Sequence, residues 1–152
     1  MARFSGTYNE TFVVDAPLDV VRDHFSSLDA IIANYGPIEH VDRIGDDTLK
    51  FVIQEKRDRG VRYQGRYTCQ YTVESDHRMS WRTLSDENMW SSGSAVFRDL
   101  GGSTEVQYAQ RMDTEIGVPR LMATLARGIV SREIAGGIQA YLGRMRAACP
   151  RR

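Results

Sequence analysis

At 152 residues, with 41% hydrophobic and 26% charged content, the chain has the size and balance of one domain able to bury a real core. Its 20 basic and 20 acidic residues cancel. No apolar run approaches the roughly 18 residues that a membrane-spanning helix needs, and the first seven residues lack a secretory apolar core, so cytoplasmic residence is the expectation.

The charge is unevenly spread. Residues 120–152 carry seven arginines (120, 127, 132, 144, 146, 151 and 152) against Glu133 alone, and the rest of the chain is acidic to the same extent. Such a basic end can attract an anionic ligand, a membrane surface or RNA. It can also be a solvated helix face whose cations complement the helix dipole.

In chain order, residues 8–14 alternate weakly and predict a strand that stops at Asp15-Ala16-Pro17. Pro17 suits the first turn of a helix, expected over 18–25 with Val21 and Phe25 on its inner face. Ser27 can cap a second short helix carrying Ile31, Ile32 and Tyr35, which Gly36-Pro37 ends. Strands follow over 38–44 and 49–55, with a hairpin tip at 57–60. Residues 61–73 give the clearest period of two, apolar or aromatic at odd positions and polar at even ones. That pattern predicts a single strand with one buried face. Shorter strands around Met79-Trp81-Thr83, over 91–97 and over 106–112 complete a meander, the last two joined by a tight turn at Gly101-Gly102-Ser103. Gly117-Val118-Pro119 starts a long helix. Its stripe is Val118, Leu121, Met122, Leu125 and Ile129, continued by Ile134, Ile138, Tyr141, Leu142 and Met145. Gly128, Gly136, Gly137 and Gly143 are expected to let that helix approach the sheet or bend over a rim. The two cysteines are expected to be free, Cys69 buried in a strand and Cys149 in a tail frayed from about residue 147.

The inward phase of these strands is unusual. It is rich in tyrosine, with a glutamine and small residues, where a dense core would favour Val, Ile and Leu. Buried hydroxyls and amides need partners, and leaving one without costs about 1–3 kcal/mol. A cavity holding water or ligand would supply them. Tyrosines reaching solvent at strand ends are the alternative.

The three histidines are scattered and share no ligand spacing with the cysteines, so no metal site is expected. No phosphate-binding glycine loop and no nucleophile elbow occurs. Glu133 is the only acid of the last helix. It is read first as an ion-pair partner of Arg132, Arg127 or Arg57, and second as a general acid or base beside Tyr63, Tyr67 and Gln110.

The order strand, two short helices, meander and long helix resembles the helix-grip arrangement of the START-like (SRPBCC) superfamily, which takes in polyketide cyclases and the birch pollen allergen. "FVVDAPLDVVRDHF", "SSGSAVFRDLGGSTEVQYAQRMD" and "GVPRLMATLARGIVSREIAGGIQAYLGRM" carry the likeness, the last to the cyclase/dehydrase and coenzyme Q-binding branch. A tryptophan common after the first helix in that family is replaced here within "AIIANYGPIEHV". The resemblance implies one α+β domain over 1–152, a curved antiparallel sheet of about seven strands with its helices, and a cavity between sheet and long helix. The inward phase and the helix stripe give its expected ligand-binding wall as Phe25, Ile32, Phe51, Ile53, Tyr63, Tyr67, Tyr71, Trp81, Phe97, Tyr108, Gln110, Met112, Met122, Leu125 and Ile129. The expected occupant is a lipid, quinone, sterol or polyketide-like molecule. No cofactor and no DNA partner are expected, and transient membrane or protein contact through the basic helix stays open. A carrier is preferred to a cofactor-free cyclase or dehydratase, with a ribosome- or protein-interaction module as a third reading.

Overall fold

The computed structural model describes residues 2–58 and 61–151, apart from the side chain of Asp58. Its elements are β1 (Ala2–Val14), α1 (Leu18–Ser26), α2 (Leu28–Asn34), β2 (Ile38–Ile44), β3 (Thr48–Ile53), β4 (Lys56–Asp58), β5 (Val61–Tyr63), β6 (Arg66–Ser75), β7 (Arg78–Thr83), β8 (Met89–Asp99), β9 (Thr104–Ile116) and α3 (Arg120–Ala148). Seven strands form one antiparallel sheet in the order β1-β9-β8-β7-β6-β3-β2, and β4 pairs with β5 as a separate hairpin. This is the expected α+β helix-grip arrangement. Arg59 and Gly60 of the expected hairpin tip lie outside the described residues.

Local chemistry explains the element ends. Val21 and Phe25, one turn apart, are the buried side of α1. Ser27 caps α2, its hydroxyl accepting from the Ala30 amide at 3.2 Å. Gly36, at φ 113°, then takes the left-handed conformation that turns the chain toward β2. Strand β1 begins at Ala2, earlier than alternation alone suggests, because β9 pairs with it from Ala2 opposite Ile116 to Val14 opposite Thr104.

The expected single strand over 61–73 is broken at Gln64-Gly65. Asn88 occupies the break: its amide donates to the Gln64 carbonyl at 2.8 Å, and its carbonyl oxygen accepts from the Arg66 amide at 2.8 Å. The alternation runs through the break undisturbed, so periodicity could not reveal it.

Helix α3 packs along β1 and against α2, but only its C-terminal half is buried, through Ile138, Leu142 and Met145. Its opening turns are not: Leu121 is 97% and Leu125 67% exposed. Thirteen residues separate Leu125 from Ile138; at about 100° per residue the two stripes lie about 140° apart around the axis. One helix cannot lay both on the same sheet. The helix glycines also serve no close approach, since a Cβ at Gly128, Gly136, Gly137 or Gly143 would meet nothing within 4 Å. The crossing is made by the strand instead. A Cβ at Gly6 would lie 2.6 Å from Ile134 Cβ. At the C-terminal end, the helix continues to Ala148 with Cys149 buried, so fraying does not begin at 147. Among the described residues, no helix is long and apolar enough to cross a membrane.

Candidate ligand cavity

Strand register assembles a floor of rings. Tyr71 stands opposite Trp81, Trp81 opposite Gly93, and Gly93 opposite Gln110. Without a Cβ at Gly93, the Trp81 indole lies flat across the strand; an alanine there would put Cβ 2.4 Å from Trp81 Cζ2. The indole is flanked by Tyr108 at 5.2 Å and Tyr71 at 6.4 Å between ring centroids. Beside it Tyr35, Phe51 and Tyr67 stack at 4.5 and 5.0 Å. Between this floor, α2 and the middle of α3 the side chains leave a cavity of about 370 Å³. That is within the roughly 300–1,000 Å³ usual for small-molecule sites.

The structure brings many of the expected residues to this space. Phe25, Ile53, Tyr63, Tyr67, Tyr71, Trp81, Tyr108, Gln110, Met112 and Glu133 all line it. Others it places elsewhere. Phe51 is sealed between the Tyr35 and Tyr67 rings, and Phe97 packs on Phe25 beneath α1 at 6.3 Å. Ile32 yields the wall to its buried neighbour Ile31. Met122, Leu125 and Ile129 are exposed on the outer side of α3 and form no part of the wall.

Sequence reasoning passed over Tyr35 and Tyr141, both in the wall. Tyr35 follows the last residue of α2, and its spacing from Ile31 reads as helix packing. Tyr141 stood in the apolar stripe, where nothing distinguishes a core position from a wall.

The polar groups inside are mostly paired. Tyr35 and Tyr67 share a hydrogen bond through their hydroxyls, as do Tyr63 and Thr114. Tyr108 donates to Gln110 Oε1 at 2.6 Å, and Gln110 Nε2 donates to Ser91 Oγ at 3.1 Å. Tyr71, beside the Cys69 thiol, and Tyr141 make no hydrogen bond to nitrogen or oxygen among the described residues. Since no side-chain polar atom there is both sealed and unpartnered, these two hydroxyls open onto free space, and the cavity supplies it. Burial pushes the Tyr35, Tyr67, Tyr71, Tyr108 and Tyr141 hydroxyls well above the usual phenol range. They are therefore neutral donors at any physiological pH, unsuited to taking a proton.

The exposed wall residues mark the mouth: Pro37, Gln54 and Lys56 on one side, Glu133, Gly137 and Ala140 of α3 on the other. Arg144 closes one end, donating to the Asn34 and Tyr35 carbonyls at 2.8 and 3.0 Å. The expected ion pair of Glu133 is absent among the described residues, because Arg57 turns to Glu55 at 3.4 Å and Arg132 points to solvent. Among those residues, no cluster of His, Cys, Asp and Glu could hold a metal ion.

No family model and no curated protein matches the chain. Solved structures do. It is similar to the Zhui aromatase/cyclase of a Streptomyces species, at 14% identity and TM-score 0.67 over 95% of this chain and 93% of that one. Norcoclaurine synthase from Thalictrum flavum aligns at 12% identity and TM-score 0.61, over 95% and 86%. The di-domain ARO/CYC BexL aligns at 18% and 0.62 over 98% of this chain, which spans 51% of that one. Likeness at such identity establishes a shared fold.

Proposed function

We propose that this chain, which carries the helix-grip fold of the START-like superfamily, binds and carries an apolar or amphipathic small molecule with acceptor oxygens. The observation that supports this reading most is the pair of phenols, Tyr71 and Tyr141, that line the aromatic cavity and hydrogen-bond to no nitrogen or oxygen among the described residues. Rings on the floor favour a flat, apolar body. Neutral phenols able to donate into the cavity favour carbonyl, quinone or ether oxygens on that body. Solvent extraction of the purified protein followed by mass spectrometry should release such a compound.

Tryptophan quenching supplies the sharper test. Replacing Tyr71 and Tyr141 by phenylalanine should weaken a quinone or hydroxylated aromatic by about tenfold per lost hydrogen bond or somewhat less. A hydrocarbon of the same shape should bind the variant and the parent alike. Equal losses for both ligands would defeat the reading.

A second reading has one observation of its own, the unpaired carboxylate of Glu133 on the cavity wall. In a cofactor-free cyclase or dehydratase, that carboxylate would take a proton from carbon beside a carbonyl. A neutral phenol such as Tyr67 would meanwhile donate to the developing enolate oxygen. Turnover of a polyketide-like substrate that survives Glu133→Gln would remove it.

A further inference from the structure

We infer that the first half of α3 is a docking face for an anionic lipid surface, set beside the mouth of the cavity. Four large apolar side chains stand out on it: Leu121, Met122, Leu125 and Ile129 are 97%, 40%, 67% and 39% exposed. Leu121, Leu125 and Ile129 follow one another every four residues, and Met122 adjoins them, so they form one continuous strip on the helix. The cavity-facing strip of the same helix lies on another side, so nothing among the described residues covers this one. Charge indicates what does. Between Gly117 and Arg132 there are three arginines (120, 127 and 132) and no acid.

A cationic amphipathic helix with an exposed apolar strip lies well in a membrane interface, its apolar side among the acyl chains and its cations at anionic headgroups. A second copy of the chain fits less well. It would set the same arginines against one another, and four side chains fall far short of the 20–30 residues a side usual in a stable dimer. One to two turns further along, the same helix borders the mouth of the cavity through Glu133, Gly137 and Ala140. An apolar molecule can then pass between bilayer and cavity without crossing bulk water. The docking face stands whether the cavity carries or converts its ligand, and its test needs no ligand.

The test is co-sedimentation of the full chain with phosphatidylcholine vesicles, with and without phosphatidylglycerol, at low and high salt. Binding is expected to the anionic vesicles and to weaken with salt. Joint Leu121→Glu and Leu125→Glu should reduce it at least about tenfold while Tm and quenching by cavity ligands stay unchanged. Neutralising Arg120, Arg127 and Arg132 to glutamine should cost about tenfold or more and erase the preference for anionic lipid. Failure to sediment with either vesicle overturns the inference. So does a concentration-dependent dimer that the two glutamates dissociate, or vesicle binding that both sets of substitutions leave intact.

Discussion

Two tyrosines of the cavity wall differ in what they would lose as phenylalanine. The Tyr35 hydroxyl is bonded to that of Tyr67, which is fully buried. Tyr35→Phe leaves Tyr67 without a partner and should destabilise by about 1–3 kcal/mol. Tyr141→Phe removes a hydroxyl that has no hydrogen bond among the described residues and should stay within about 0.5 kcal/mol of the parent. Urea midpoints of the two variants decide the matter, and equal values would mean that the Tyr35–Tyr67 bond contributes nothing. Gly93 makes a parallel case. A Cβ there would meet the Ala109 carbonyl oxygen at 2.3 Å as well as the indole, and a backbone neighbour in mid-sheet cannot step aside. Gly93→Ala should therefore cost about 1–3 kcal/mol and shift tryptophan emission to the red as Trp81 is displaced. Unchanged emission would show that the ring has another seat.

Helix α3 shows what a pattern along the chain conveys and what it withholds. The period-two phase of β6 to β9 shows which side chains face inward, so Tyr67, Tyr71, Trp81, Tyr108 and Gln110 of the cavity wall are legible in the sequence. Apolar spacing in α3 announced a helix equally well but not which of its two stripes meets the sheet. Met122, Leu125 and Ile129 have the spacing of a buried stripe, but spacing alone does not say that a partner lies opposite. The buried side is set by the crossing at Gly6, more than a hundred residues away in sequence. The break at Gln64-Gly65 was hidden for a similar reason, its hydrogen-bonding partner being Asn88. The helix glycines serve no close approach to the sheet, and their open surroundings give a prediction. Gly128→Ala, Gly136→Ala and Gly143→Ala each gain helix propensity with no clash, so each should stabilise by about 0.5–1 kcal/mol. Together they should raise Tm by several degrees in a calorimetric scan. Gly137 is excluded because it lines the cavity. A fall in Tm would show that α3 requires these glycines for a bend.

Across the whole molecule, the phenols and thiols tie stability to alkaline pH. All seven tyrosines are raised above their ordinary value near 10. Burial is the main cause for six, and for Tyr8 it is the hydrogen bond to Glu10. Burial also pushes the Cys69 thiol from 9.0 to about 12. In each case the neutral, protonated form is the one the fold accommodates. The unfolded chain releases these protons first, Cys69 near pH 9 and the tyrosines near 10, while the folded chain still holds them. Stability is thus fully present below about pH 9 and declines as pH rises from there toward the folded values. Urea midpoints should agree between pH 7 and 8.5 and be clearly lower at pH 11. Phenolate absorbance near 295 nm from the tyrosines raised by burial should rise together with the loss of near-ultraviolet dichroism and not ahead of it. That coincidence is the demanding part, because a tyrosine free in solvent ionises gradually around 10 whatever the fold does. Gradual phenolate formation by most of the tyrosines in a still-folded protein would mean that water reaches those rings, and that the fold does not hold them in their neutral form.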